Sequence, residues 1–336
     1  FQPGNVVLKG VQGSGKSMLL NLLKPEIRIA YAEMDEEFPV PKNFSKFIGA
    51  GINLTRSGAI DFGQRAIRPE LTEDLQQSPS YFGDFLNYWI VQDILESLDK
   101  LRNGASGRTS SELGLCIDSK RLDRFACKLA RHPCWSGYLN KTHNYKMLRA
   151  SLRERLLTYR NFLNYNTSEV PDGVQQTKTS IGEPVSQTAE TLWSCKIVPD
   201  TVAFYVRIDQ YEELSHLEDW SRDHGLYQNY RAVVNKFLGT RDPRVSYRIG
   251  SRRYAWRTEA DSQMHGTSGV IEELRNFKTI DLDELLRRKE NAKTWQFPRL
   301  AEDVFRRRLS TSGYDLEDKE HLLQYVFDPH LPAKKK

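Results

Sequence analysis

The sequence predicts an α/β fold organised on parallel strands. Three observations point there. A glycine-rich loop at Gly10–Ser17 is preceded by the apolar run Val6, Val7, Leu8 and followed by Met18-Leu19-Leu20-Asn21-Leu22-Leu23, a strand-loop-helix unit. Val202 to Ile208 is mostly β-branched or aromatic, as a central parallel strand buried on both faces requires, and it ends at Asp209. Beyond Asp209, helix-period and strand-like segments alternate again.

Composition narrows the class. At about 150 residues per domain, the 336 residues make one large domain or two. The net charge of +5 is mild over this length and neither requires nor excludes nucleic acid. With 39% hydrophobic and 11% aromatic residues the chain can bury a core. No stretch approaches the roughly 18 uncharged apolar residues of a membrane span, and no basic-then-apolar leader indicates secretion. Cys116, Cys127, Cys134 and Cys195 form no C-x-x-C pair. Cys127, His132 and Cys134 cluster, but zinc needs four ligands, usually in two spaced pairs, so free thiols in a reducing cytoplasm are expected. The chain opens on Phe1 only nine residues before its strongest motif, and we expect a piece of a longer protein.

Gly10-Val11-Gln12-Gly13-Ser14-Gly15-Lys16-Ser17 fits G-x-x-x-x-G-K-[ST] in full, the Walker A phosphate loop. Glycines let the backbone turn with its N–H groups facing phosphate oxygens. The following helix points its positive end at the same anion. Lys16 can reach the β- and γ-phosphates, and Ser17 can place its hydroxyl on Mg²⁺. Gly10, Gln12, Gly13, Ser14, Gly15, Lys16, Ser17 and Met18 are therefore the expected nucleotide contacts. A site of this kind also needs a carboxylate for Mg²⁺ at the end of a neighbouring strand. Asp209 stands there, at the carboxyl end where ligands bind in open α/β sheets, and is assigned to the metal with Ser17. The hydrolytic base stays open. Gln210 follows Asp209 and could orient a water without deprotonating it. Glu212 could be the base, ahead of Glu213, although both also suit the charged first turn of a helix.

The other elements follow in order. Residues 27–32 read as a short strand and 47–54 as another with close backbone packing at its glycines. Residues 80–102 carry Phe82, Phe85, Leu86, Trp89, Ile90, Ile94 and Leu98 at helical spacing, a core stripe. Residues 103–112 form a Gly/Ser-rich break, and helices follow near 119–131 and 143–164. Arg149, Arg153, Arg155 and Arg160 read as a solvated helix face. Residues 165–187 are polar and aperiodic and read as a long exposed loop. This middle section, about 80–190, reads as a helical insertion. Residues 227–239 look helical, 245–249 and 278–282 look like strands, and 283–292, 298–309 and 317–326 look helical.

The pattern resembles the AAA+ and STAND-type P-loop ATPases, most closely bacterial ATPases related to the origin-recognition family. The likeness rests on Gly10–Ser17 and on Ile208-Asp209-Gln210-Tyr211-Glu212-Glu213. Weaker support comes from Gly51-Ile52-Asn53-Leu54, Phe85-Leu86-Asn87, Val245–Arg252 and Ile280-Asp281-Leu282-Asp283. The resemblance implies a three-layer P-loop NTPase: a central parallel sheet with helices on both faces, an ATPase core over 1–290, and a helical lid or further region over 291–336. It implies ATP and Mg²⁺ as cofactors, a γ-phosphate sensor among Ser251, Arg252 and Arg253, and an arginine finger at Arg275 reaching a neighbouring subunit. A lid arginine among Arg306, Arg307 and Arg308 is also implied. Gln210 departs from the commoner Asp-Glu pair.

The leading functional expectation is an ATPase whose binding and hydrolysis of Mg-ATP drive conformational change or assembly, with self-association, a protein partner, DNA, or a role in antiviral defence as the implied contexts. A slow-turnover nucleotide switch, favoured by Gln210, and a P-loop kinase are the alternatives. No guanine-reading N-K-x-D motif occurs in a suitable place, so ATP is favoured over GTP.

Overall fold

The computed structural model describes residues 4–64, 78–164, 170–223, 228–240, 242–255, 277–287 and 296–313. It divides into two compact units, Phe1–Ile280 and Asp281–Lys336. The first is built on a five-stranded, all-parallel sheet: β1 (Asn5–Lys9), β2 (Phe47–Asn53), β3 (Ala203–Asp209), β4 (Val245–Ser251) and β5 (Phe277–Asp281). Their order across the sheet is β2-β3-β4-β1-β5.

Alternation along each strand sends side chains to opposite faces, and each face has its own core. Val6, Leu8, Phe47 and Tyr205 pack with Leu20 and Leu23 on the face covered by α1 (Lys16–Asn21) and α2 (Pro25–Glu33). Val7, Ile48, Ile52, Phe204, Val206, Ile208 and Ile249 join the larger core on the other face. Helices on both faces of a parallel sheet make three layers, as expected for a P-loop NTPase.

The larger core contains α3 (Asp61–Gln64) and the long α4 (Ser78–Asn103), whose Phe82, Phe85, Leu86, Ile90, Ile94 and Leu98 are fully buried. It continues through α5 (Arg108–Glu112), α6 (Ser119–Ala130), α7 (Tyr145–Asn164), α8 (Asp172–Gln176) and α9 (Glu183–Ser194), all between β2 and β3 in sequence. Helix α4 also covers the outer edge of β2. The Ser97 hydroxyl donates to the Gly49 carbonyl at 2.8 Å, and Asp93 accepts from the Gly51 amide at 2.7 Å. Backbone groups that an edge strand would otherwise expose are thereby occupied. After β3 come α10 (Glu212–Asp223) and α11 (Tyr230–Gly239). The second unit holds α12 (Leu282–Arg287), whose Asp283 and Glu284 amides donate to Asp281 Oδ1, and α13 (Gln296–Thr311).

Several expectations are corrected. Residues 27–32 lie in α2, where Pro25 at the first turn starts a helix that the strand-like alternation of Ile27, Ile29 and Tyr31 had disguised. Residues 165–169 lie outside the described residues, and 170–187 are not one long loop: α8 lies within them and α9 begins at Glu183, where Gly182 in a left-handed conformation precedes Pro184 in the first turn. The 103–112 break contains a 3₁₀ turn at Gly104–Gly107 and then α5. Helix α7 is not a solvated arginine face. Arg155 is 1% exposed and bonds Asp84, itself fully buried, through Nη2 at 2.9 Å and Nε at 3.1 Å. Asp84 further accepts from the Tyr159 hydroxyl and from the amide and hydroxyl of Thr179. Arg149 is buried and donates to the Gln92 carbonyl, and Arg160 pairs with Asp61; Arg153 is exposed. All four cysteines are free thiols, and the ring of His132 accepts the Cys134 amide through Nδ1. Arg275 and residues 317–326 lie outside the described residues. Among the described residues no helix is long and apolar enough to cross a membrane.

Candidate nucleotide site

The site gathers at the carboxyl ends of β1, β3, β4 and β2. Behind β1 the loop turns through Gly13 and Gly15, at φ +84° and +89°. Both conformations are left-handed and favour glycine. Gly15 is also the residue from which α1 starts. Lys16 is buried, and its Nζ donates to the carbonyls of Gly10 and Val11, each at 2.7 Å, and to Ser14 Oγ at 3.3 Å. The ammonium is thus held by the loop's own oxygens, while Val11 and Met18 are about half exposed beside it.

Ser17 and Asp209 are 192 positions apart in the chain, yet Ser17 Oγ donates to Asp209 Oδ1 at 3.2 Å. The sheet order explains the meeting. Strand β4 lies between β1 and β3, pairing Leu8 with Gly250 on one side and Ile208 with Ile249 on the other. The space above β4 is open because residue 250 has no side chain. A Cβ there would stand 2.9 Å from Asp209 Oδ1 and 2.8 Å from Leu20 Cδ1.

Gln210 turns the chain sharply after Asp209. Its φ is +62°, left-handed for a residue that is not glycine, and its amide donates to Asp209 Oδ1 at 3.0 Å. Such a conformation costs about 1–2 kcal/mol. Among the described residues its buried side-chain Oε1 has no hydrogen-bond partner. Glu212 begins α10 and is engaged. Its carboxylate accepts the Arg252 amide at 3.2 Å and pairs with Arg252 Nε at 3.2 Å. The Arg252 guanidinium, hydrogen-bonded to the Tyr254 hydroxyl and facing Glu212, is held above its ordinary pKa. Ser251 is fully buried with its hydroxyl on the Arg252 carbonyl; Arg253 is exposed. In the second unit Arg306 pairs with Glu302, whereas Arg307 and Arg308 are exposed.

The structure therefore brings together Lys16, Ser17, Asp209, Gln210, Glu212 and Arg252. It also brings in two residues that sequence reasoning missed. Asn53 ends β2 opposite Asp209 in register, and its Nδ2 donates to Asp209 Oδ2 at 3.3 Å. A polar residue closing an apolar strand was the available signal, the same one that marked Asp209. Gly250 gave no signal, because the need for an absent side chain appears only once β3 and β4 are paired.

No curated protein and no solved structure matches the chain. A family model described as ORC-CDC6-like matches residues 1–335. With that match spanning the sheet, the phosphate loop and the Asp209 turn, the chain belongs to the ORC-CDC6-like family of AAA+ ATPases, whose sites are of the nucleotide-binding type.

Proposed function

We propose that the chain binds Mg-ATP and hydrolyses it, coupling binding and turnover to a change of conformation or assembly. The approach of Ser17 Oγ to Asp209 Oδ1, 3.2 Å, carries this reading, because it joins the two motifs that such a site requires. A hydroxyl and a carboxylate are hard oxygen donors and suit Mg²⁺. When bound, the ion offsets charge on the phosphate oxygens. The loop amides from Gly10 to Met18 hold the phosphates, and Lys16 offers its ammonium to the β- and γ-phosphates. Gln210 or Glu212 positions the attacking water. Arg252 senses the γ-phosphate, and Arg275 serves a neighbouring copy as an arginine finger. In this reading residues 1–290 form the ATPase core and 291–336 a lid, with DNA or a protein as the responding partner.

Phosphate release from ATP and from GTP, with and without DNA, tests the proposal against Lys16→Ala. Release should be faster with ATP, and Lys16→Ala should lose both binding and release. Unchanged ATP binding in that variant would overturn the assignment. A second reading, a slow-turnover switch, is favoured by Gln210 beside Asp209 and by the engagement of Glu212 with Arg252. It predicts tight ATP binding with phosphate release near background. Glu212→Gln separates the two: it should spare binding and abolish release in the ATPase, and change neither in the switch.

A further inference from the structure

We infer that the outer face of α6 is a docking surface for a nucleic-acid duplex, held through its phosphate backbone; this rests on the reading of DNA as the responding partner above. Helix α6 has two unlike sides. Leu122, Phe125, Ala126, Leu129 and Ala130 are buried, and the Asp118 side chain caps the first turn by accepting the Arg121 amide at 2.8 Å. The other side carries Lys120, Arg124, Lys128 and Arg131, all exposed. At 3.6 residues per turn these positions fall within a sector of roughly 80°, and Arg131, which ends the helix, keeps helical angles. At 1.5 Å per residue they make a straight row about 16 Å long.

No carboxylate neutralises the row. Elsewhere cations are paired: Lys100 with Glu26, Arg108 with Asp35, Arg244 with Asp242. Among the described residues Lys120, Arg124 and Arg131 have no side-chain partner, and Lys128 donates only to Ser194 Oγ, at 2.8 Å. The two carboxylates of the same stretch are engaged otherwise. Asp118 pairs with Arg121 at 3.1 Å, and Asp123 accepts the Tyr145 amide at 2.9 Å. Cations three or four positions apart on a helix repel one another, so the row weakens the free chain slightly and an external anion relieves it. Lys196, whose carbonyl accepts from Arg121, and Lys146, beside Tyr145, are exposed and extend the positive surface. The row's chemistry selects its occupant. No apolar residue of α6 is exposed, so outward it offers nothing to lipid chains or to an apolar groove. It has no exposed ring on which bases stack. What remains is a line of charges about one helical turn apart, which suits a polymer of regularly repeated anions. A duplex carries one charge per about 1.7 Å of its axis, so a row of about 16 Å lies against a stretch bearing roughly ten phosphates. Contacts of this kind position a protein without reading the bases.

The test uses the full chain and fluorescent duplex DNA of two unrelated sequences, with polyglutamate as a second ligand. The variants are Lys120→Gln, Arg124→Gln, Lys128→Gln and Arg131→Gln, singly and together. Duplex affinity is measured between about 50 and 200 mM salt, beside binding of a fluorescent ATP analogue and thermal unfolding. Four phosphate contacts at about 0.9 each give log affinity a slope of about −3.6 against log salt, a loss of about 100-fold across that range. The combined variant should lose about that much slope and bind duplex at least about ten-fold more weakly at the lower salt. It should bind the ATP analogue as the parent does, and unfold at the same or a higher temperature because the repulsion is gone. Each single variant should lose about one unit of slope, alike for both sequences. Unchanged duplex affinity and slope in the combined variant would overturn the proposal and leave DNA as the partner. Polyglutamate binding as tightly as duplex would overturn nucleic acid as the occupant. A lower unfolding temperature would show the row serving the fold instead, and would overturn the proposal too. A parent chain that binds no duplex at the lower salt would overturn DNA as the partner as well.

Discussion

Gly250→Ala inserts one methyl group between the two nucleotide motifs. Its Cβ would lie 2.9 Å from Asp209 Oδ1 and 2.8 Å from Leu20 Cδ1, about half an ångström or more inside normal contact. Leu20 Cδ1 is the end of a flexible side chain and can swing aside. The Asp209 carboxylate is pinned by Ser17, Asn53 and the Gln210 amide, so moving it breaks what holds it. The contact from Ser17 is already 3.2 Å, and a displacement of about half an ångström takes it past hydrogen-bond range. Overpacking a core in this way costs about 1–3 kcal/mol, which a chain stable by about 5–15 kcal/mol survives. Gly250→Ala should therefore fold, with a lowered urea midpoint, and need about ten-fold more Mg²⁺ for nucleotide binding. Gly49→Ala is the contrasting control. Its Cβ would fall 1.6 Å from the Leu23 carbonyl oxygen, which is backbone and cannot yield, so this variant should not fold. A Gly250→Ala chain with an unchanged Mg²⁺ requirement would show that the space at residue 250 is not what seats the Asp209 carboxylate.

Three further outcomes follow from the geometry. Asp84→Ala leaves the Arg155 guanidinium buried without its carboxylate and removes the acceptor of Tyr159 and Thr179; urea unfolding should show a loss of about 3–5 kcal/mol. Replacing both partners, Asp84→Leu with Arg155→Leu, should recover part of that loss, and a single-variant cost below about 1 kcal/mol would contradict the buried pair. Gln210→Gly relieves a left-handed residue at φ +62°. Strain of about 1–2 kcal/mol set against a glycine entropy cost of about 0.5–1 kcal/mol leaves stability unchanged or up to about 1.5 kcal/mol higher by urea unfolding.

How much of this was legible in the sequence depended on whether the cause was local. The phosphate loop could be read because glycine, lysine and serine at fixed spacing each do local work. Asp209 could be read because β3 is apolar or aromatic apart from Arg207 until it ends on a carboxylate. Helix α2 could not, because Ile27, Ile29 and Tyr31 alternate with Arg28 and Ala30 as a strand would, and only the packing of Arg28 between the rings of Phe38 and Phe47 reveals the helix. The arginines of α7 were misread for a related reason. Arg155 looks like any surface arginine until α4 brings Asp84 to it from 71 residues away. Asn53 closes an apolar strand and so carried the same signal as Asp209, but its partner appears only with strand pairing, and nothing local to Gly250 could have named its role.

The same pairing decides how firmly Arg252 is held. Strand β4 carries both the room for Asp209 and, at its end, the residues bonded to Glu212. The Tyr211 amide donates to the Gly250 carbonyl at 3.0 Å, and the Arg252 amide to Glu212 at 3.2 Å. These bonds, both donated by backbone amides, tie the end of β4 to the turn and helix after β3 whatever the Arg252 side chain does. Its guanidinium is 36% exposed and Glu212 is 7% exposed. Water at the guanidinium screens the pair although Glu212 is buried, so the pair is worth on the order of 1 kcal/mol, and a γ-phosphate, with more charge and three oxygens, can compete for the guanidinium. Arg252→Ala should therefore lower the urea midpoint very little and reduce the preference for ATP over ADP, read by competition against a fluorescent nucleotide. An unchanged preference would remove Arg252 from nucleotide sensing and leave the ion pair to Glu212 as its whole contribution.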